Sequence, residues 1–336
     1  MNLQAVFDSI TIPHRLPNQQ PSYAVRVVSN SPSYLIGRDE HGRACLLVNT
    51  WSEGRGRRTP SIRLSNLNVE FNRPCLLQHT SESSTAAIYS IIRCGVDDVE
   101  TTRYFLWICE TIIQVVGNHP RADSLSSVVI RLAAIFQRFQ EPPNRSLIGL
   151  FGEIYVIWAS ADPVGTVSMW RQDITSRFDF SGNDLRLEVK TTTGQVRSHI
   201  FSYEQCNPPN GTVPVVASLL TEKIGSGARL ISLLEDIVER LEGHPKLIFK
   251  LQEGVASSLG NTLDEALKGQ FDLKLAEDSL KFFLMTDIPA IRGQLEAGVS
   301  EVHFKANLSA CVVPTRAELL ANNSELGQIM PSQYGV

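Results

Sequence analysis

The chain has 336 residues, of which 43% are hydrophobic and 20% charged, with 22 glycines and 17 prolines. Those proportions describe a folded globular protein and exclude the disordered, collagenous and solenoid classes. Lys and Arg number 31 against 35 Asp and Glu, a net charge of −4, so this is no general polyanion coat and any nucleic-acid contact has to come from a local patch or a partner.

The start, Met1 to Arg15, lacks a basic leader and carries Asp8, which argues against a secretory signal. No apolar run approaches the ~18 residues of a membrane helix. The cysteines (Cys45, Cys75, Cys94, Cys109, Cys206 and Cys311) are widely spaced, with no CxxC pair. A cytoplasmic protein with reduced thiols and no structural zinc is expected.

Residues 22–94 read as strands, a likeness to an antiparallel meander: Ala24–Val28, Tyr34–Gly37, Ala44–Val48, Ile62–Phe71 and Ala86–Ile92. Between the third and fourth lies a Gly-rich basic loop, Ser52 to Pro60, whose Arg55, Arg57 and Arg58 are candidate phosphate contacts or simply a solvated loop. From Asp97 the period becomes helical: Phe105, Ile108, Ile112 and Val115 share a face, and Gly117 offers a stop. A second helix carries Leu125, Val129, Leu132 and Phe136, Glu141-Pro-Pro-Asn144 breaks it, and a third spans Arg145 to Ser160. Strands at Phe178–Phe180, Leu185–Lys190, His199–Phe201 and Val213–Leu220 and a helix ending at Gly243 complete an α/β core. The remainder reads as a short helix at Leu263–Leu267 and strands at Phe271–Leu275, Leu280–Met285 and Val302–Val313. The expected organisation is an N-terminal β-rich domain over 1–123, a core over 124–243 and a C-terminal α/β extension over 244–336, α+β overall.

Leu185-Arg-Leu-Glu-Val-Lys190 is the most informative stretch. Alternation along a strand sends Leu185, Leu187 and Val189 to one face and Arg186, Glu188 and Lys190 to the other. In Phe178-Asp-Phe180 the aromatics flank Asp179 in the same manner, and Ser181-Gly-Asn-Asp184 is strong turn chemistry, so a hairpin brings Asp179 toward Glu188. Neighbouring carboxylates repel unless a cation lies between them. Hard oxygen ligands with room for water suit Mg2+ or Mn2+, and Lys190 adds a positive charge that orients water and neutralises a phosphoryl oxygen. Glu153 is the single acid of an apolar helix, flanked by Gly149 and Gly152, which allow close approach of another backbone or a ligand; alone it would read as that helix's solvent face, and the Asp179 and Glu188/Lys190 pattern is what favours function.

Asp179, Glu188-Val-Lys190 and a helical Glu153 resemble the PD-(D/E)XK nuclease superfamily. The longer run of Gly149-Leu-Phe-Gly-Glu153, Trp170, Phe178-Asp-Phe180, Leu187-Glu-Val-Lys-Thr-Thr192 and His199-Ile-Phe-Ser-Tyr-Glu-Gln205 is similar to a family of bacterial PD-(D/E)XK motif proteins associated with restriction or anti-phage gene sets. The resemblance implies a restriction-endonuclease-like core and a Mg2+- or Mn2+-dependent DNA endonuclease. Asp179, Glu188 and the Val189 carbonyl would hold the metal, Glu153 would help to hold that ion or a second one, and Lys190 would position water. Phe178 stands where the motif has proline, which leaves Asp173 and Asp184 as rivals to Asp179. Gln205 is implied to contact DNA, although Ser202-Tyr-Glu-Gln205 is also a capping box. Thr191, Thr192, Arg197 and His199 are further phosphate-contact candidates. The resemblance also implies DNA and defence-system subunits (methyltransferase, ATPase or helicase) as partners, with a homodimer by analogy. A catalytically silent scaffold of the same fold is the alternative; an RNase ranks lower, because no aromatic single-strand platform stands out. No GxxxxGK[ST] loop, HExxH, nucleophile elbow or dinucleotide fingerprint is present.

Overall fold

The computed structural model describes the chain apart from residues 1–2, 14–19, 52–59, 65, 81–82, 139–140, 172–175, 209–211 and 336. Arg55, Arg57, Arg58 and the rival ligand Asp173 therefore lie outside the described residues. Two compact units divide between adjacent prolines, Met1–Pro142 and Pro143–Val336. The helix expected to open the core thus belongs to the first unit, and residues 244–336 share the second unit with the core.

The first unit runs α1 (Leu3–Asp8), β1 (Ser22–Val28), β2 (Ser31–Arg38), β3 (Ala44–Val48), β4 (Ile62–Arg63), β5 (Leu67–Thr80), β6 (Ser83–Cys94), α2 (Val99–Val116) and α3 (Ala122–Arg138). Strand order is β1-β2-β3-β6-β5, and β1 pairs with β5 in parallel, Ser22 opposite Leu76 and Ala24 opposite Gln78, so five strands close on themselves. This corrects the single antiparallel meander expected: β1-β2-β3 and β4-β5-β6 each follow one, but β3 pairs with β6 and β1 with β5. The closure depends on an unusually long β5. Its register with β6 slips between Glu70 and Arg73, where Asn72 has φ 48°. Such a bulge bends the strand enough to serve two neighbours. Alternate residues fill the interior: Tyr23, Val25, Leu35, Cys45, Leu47, Cys75, Leu77 and Ile91. Helix α2 starts at Asp98, whose carboxylate accepts from Thr101 N–H, and ends at Gly117, whose φ of 80° lets its N–H reach the Ile113 carbonyl. Leu125, Val129, Leu132 and Phe136 form the buried face of α3, as the spacing predicts.

The second unit contains α4 (Leu147–Ala159), α5 (Pro163–Met169), β7 (Phe180–Ser181), β8 (Arg186–Thr192), β9 (Ser198–Ser202), α6 (Tyr203–Cys206), β10 (Val215–Leu220), β11 (Lys223–Arg229), α7 (Leu230–Arg240), α8 (Pro245–Leu259), α9 (Leu263–Lys268), β12 (Gln270–Phe271), α10 (Leu273–Ser279), β13 (Lys281–Leu284), β14 (His303–Asn307), α11 (Arg316–Asn322) and α12 (Leu326–Ile329). Its main sheet has the order β13-β10-β8-β7, with β8 and β10 parallel and the outer pairs antiparallel. Helix α4 lies on one face. A Cβ on Gly152 would come 1.8 Å from Thr191 Oγ1 and 3.3 Å from a Val189 methyl, so glycine there permits the helix to touch the strand. The antiparallel pair β9–β14 covers the other face, where Phe201 and Ala306 join Phe178, Val216 and Phe283 in one core.

Other expectations fail beyond the site: the strand expected over Ile62–Phe71 folds back on itself as β4 and the start of β5, with Ile62 opposite Val69. The strand expected over Phe271–Leu275 stops at Phe271, because the Asp272 carboxylate accepts from Leu275 N–H and starts α10. The strand expected over Val302–Val313 shortens to His303–Asn307. Helix α8 is not among the expected elements; it opens on Pro245, and proline in a first turn gives up no needed N–H. Among the described residues, no helix is long and apolar enough to cross a membrane.

Candidate active site

The expected hairpin forms, with Phe180 opposite Leu187 and Ser181 opposite Arg186. Its turn is held from a distance: the Glu325 carboxylate accepts from the backbone N–H groups of Asn183, Asp184 and Leu185 at 3.3, 3.1 and 3.1 Å. Phe178 and Phe180 are buried, and Asp179 between them is only 3% exposed. Asp179 Oδ2 accepts from Val189 N–H at 2.8 Å, which fixes the aspartate beside the Glu-Val-Lys strand. The Thr192 carbonyl accepts from Thr221 N–H, toward β10. Since backbone groups alternate sides along a strand, the Val189 carbonyl faces the opposite edge, that of Asp179. Asp184 sits exposed in the turn, which removes it as a rival to Asp179.

Glu188 is 6% exposed and points to the β9 side, beside Lys190, whose Nζ lies 2.7 Å from Glu188 Oε1 and 5.1 Å from the Phe201 ring centre. Glu188 Oε2 is buried with no partner among the described residues. Burial, reinforced by the Asp179 charge, pushes the Glu188 carboxyl up to about 7 against the pull of Lys190 and Arg171.

Glu153 comes from α4, on the other side of the sheet. Its Oε2 accepts from Arg145 Nη1 and, at 2.7 Å, from Trp170 Nε1; Arg171 Nη2 is 3.9 Å from its Oε1. The same Arg171 Nη2 lies 2.9 Å from Asp179 Oδ1. Burial and the Asp179 charge push the Glu153 carboxyl upward, while the two arginines and the indole oppose that shift. The three acids therefore meet around Asp179 at the strand edge rather than surrounding one point. Among the described residues, no three His, Cys, Asp or Glu side chains gather closely enough to hold one ion. Glu153, expected to help hold that ion or a second one, has Arg145, Arg171 and Trp170 as its partners.

Several candidate contacts are otherwise engaged. Arg197 is buried, donating to the Ser218 carbonyl and hydroxyl at 2.7 and 2.9 Å and to the Ser279 carbonyl. His199 is 5% exposed, its Nε2 2.8 Å from Ser218 Oγ, and burial followed by Lys190 and Arg197 pushes it down to about 4. Neither side chain is available to a phosphate, which corrects both expectations. Gln205 completes the capping box, its Oε1 accepting from Ser202 N–H and its Nε2 donating to the Arg177 carbonyl. The cap, rather than a DNA contact, accounts for that residue. Thr191 packs against Gly152 with its buried hydroxyl unpartnered, and Thr192 Oγ1 accepts from Gly194 N–H. Arg145 and Arg171 are the site residues that motif reading missed. The signal was available: a buried glutamate needs a counter-charge, and these arginines flank α4 and Trp170 in the sequence.

Two donor atoms suit a divalent cation: the orphaned Glu188 Oε2 and, once its guanidinium moves, Asp179 Oδ1, with the Val189 carbonyl on the same edge. Carboxylate and carbonyl oxygens with room for water match Mg2+ or Mn2+. A family model described as "Putative PD-(D/E)XK family member, (DUF4420)" matches residues 4–309. No curated protein and no solved structure matches the chain.

Proposed function

The chain belongs to that PD-(D/E)XK family, and from this membership and the site geometry we propose that it is a Mg2+- or Mn2+-dependent DNA endonuclease of a bacterial restriction or anti-phage system, working in the cytoplasm. The observation that carries the proposal is the buried Glu188, with one oxygen on Lys190 and the other unpaired, on the strand whose Val189 N–H holds Asp179.

Asp179, Glu188 and the Val189 carbonyl are the residues that would hold the ion, which supplies Lewis acidity at the scissile phosphodiester. Lys190, anchored on Glu188, orients the attacking water and offers positive charge to the phosphoryl oxygen as negative charge grows there. Water adds to phosphorus, the P–O3′ bond breaks and the departing oxygen takes a proton, leaving 5′-phosphate and 3′-hydroxyl ends. Glu153, fixed by Arg145 and Trp170, sets the position of Arg171. DNA is the substrate; a methyltransferase, ATPase or helicase subunit and a second copy of the chain are the proposed partners.

The experiment is cleavage of supercoiled plasmid by purified protein with Mg2+, Mn2+ or EDTA, comparing wild type with E188Q and K190A. Metal-dependent nicking lost in both variants supports the proposal; nicking by K190A at the wild-type rate overturns the mechanism. One observation favours a second reading, the silent scaffold: Arg171 already neutralises Asp179. Calorimetric titration with Mn2+ separates the two, since a scaffold gives no heat that depends on Asp179 and Glu188.

A further inference from the structure

Asp179 has two carboxylate oxygens and both are in use. Oδ2 is tied to Val189 N–H at 2.8 Å, a contact that also fixes the hairpin to the strand. Oδ1 is the oxygen left for an incoming cation, and Arg171 Nη2 stands 2.9 Å from it. This placement is built by the backbone. Trp170 bridges to Phe180, and Arg171 N–H donates to the Asp179 carbonyl at 2.8 Å, so the two residues face each other across a short antiparallel pairing.

The guanidinium is held asymmetrically. Its Nη1 donates to the Ser176 carbonyl at 3.1 Å, whereas its Nε is buried with no partner among the described residues. Its second carboxylate, Glu153, lies at 3.9 Å and has Arg145 and Trp170 besides. If Arg171 released Asp179, Glu153 would remain compensated, while Asp179 Oδ1 has no other partner among the described residues. The arrangement is one in which one specific carboxylate oxygen is surrendered and the remainder of the cluster stays in place.

We propose that Arg171 is a positioning residue that acts as the resident counter-ion of Asp179, preassembling the site without metal and yielding Asp179 Oδ1 when a divalent cation enters. The metal then binds in competition with the protein's own cation. Its apparent affinity is set by that exchange as well as by the ligands, because a group that must first be displaced lowers the affinity of what displaces it. This rests on the metal-binding reading given under Proposed function.

The test is Mn2+ titration calorimetry on wild type, R171Q, R171K and D179N at 0.1 and 0.5 M salt, with thermal unfolding measured alongside. R171Q should bind Mn2+ about tenfold more tightly than wild type, within the usual range of coupling between two sites. R171K, which keeps the charge but not the fork, should fall between. The gain should persist at 0.5 M salt, because contact exchange is screened far less than a through-space charge effect. In EDTA, R171Q should unfold at a lower temperature than wild type, and saturating Mn2+ should recover the difference. A purely structural arginine would weaken metal binding on removal, so unchanged or weaker binding by R171Q overturns the inference, as does a gain that disappears at 0.5 M salt. If neither wild type nor R171Q binds Mn2+ in a way that D179N abolishes, the nuclease reading falls with it; if wild type binds and R171Q binds no better, only the role of Arg171 falls. Should R171Q not fold, wild type with 15N-labelled arginine, assigned against R171K, is titrated with Mg2+. The Arg171 Nη resonance must then move to a new position at saturation, and a stationary resonance overturns the inference.

Discussion

Replacing Glu188 with glutamine probes the site through stability alone, without substrate. Glu188 is 6% exposed, one of its oxygens lacks a partner, and its carboxyl is pushed from an ordinary 4.5 up to about 7, by burial first and then by Asp179. A carboxyl held higher in the folded protein than in the unfolded chain binds more protons when folded, so stability falls as pH rises between these values. At about 1.4 kcal/mol per unit, Glu188 costs the fold up to about 3 kcal/mol by pH 8 relative to pH 4. Glutamine has nearly the same shape and no charge. It leaves Lys190 without its anion, a cost that does not vary across this range.

The measurement is chemical denaturation of wild type and E188Q in EDTA at pH 5, 6, 7 and 8. Wild type alone cannot isolate the effect, because His199 acts in the opposite direction. Held at about 4 in the folded state, His199 contributes stability above its unfolded value that is lost as pH falls through the folded one. The difference between the two proteins removes that contribution. Stability of E188Q relative to wild type should increase by about 2–3 kcal/mol from pH 5 to pH 8, and saturating Mn2+ should erase the gain by stabilising only wild type. Parallel pH profiles would refute the claim that Glu188 is held in a poorly compensated site.

Other consequences are equally concrete. K190A should reduce plasmid cleavage by about a hundred- to a thousandfold while calorimetry still detects Mn2+, because Lys190 is not among the proposed ligands. G152A should destabilise the protein by about 1–3 kcal/mol in denaturation, since the new Cβ would meet Thr191 Oγ1 at 1.8 Å; adding T191A should restore much of the loss. E325A removes the acceptor of three hairpin N–H groups. It should cost about 1–3 kcal/mol, and it should weaken Mn2+ binding through the displaced hairpin, read by the same calorimetry.

What the sequence disclosed depended on the range of the interactions concerned. The hairpin that carries Asp179 was legible because turn chemistry and alternation are local, and the Gly152 contact because a glycine pair in an apolar helix asks for a near neighbour. The capping box at Ser202 and Gln205 was also legible, and it outweighed the DNA contact implied by likeness because a four-residue helix needs that cap. Barrel closure was hidden: it depends on β1 meeting β5 across fifty intervening residues, on a strand continuing past Asn72 and through Pro74, where local signals suggest a stop. Arg197 and His199 looked like edge residues, but both are buried against Ser218 of β10, some twenty residues on, and Arg197 also against Ser279. Glu325 controls a turn from 141 residues away along the chain, and no pattern near Asp184 announces it.

The cluster also shows how three carboxylates can be buried together. Glu153, Asp179 and Glu188 each lie against a cation, Arg145, Arg171 and Lys190, so with all three carboxyls ionised the formal charges cancel. A divalent ion added to a neutral cluster brings two uncompensated charges into a poorly solvated place, and that raises its cost. Moving Arg171 away from Asp179 does not remove its charge from the neighbourhood. What balances the addition, under the proposed function, is the anionic phosphodiester. Metal and DNA then bind better together than either does alone, each improving the other's affinity by the same factor, as linkage requires. Under the proposed function, these electrostatics thus favour a site in which metal and substrate arrive as a compensated pair.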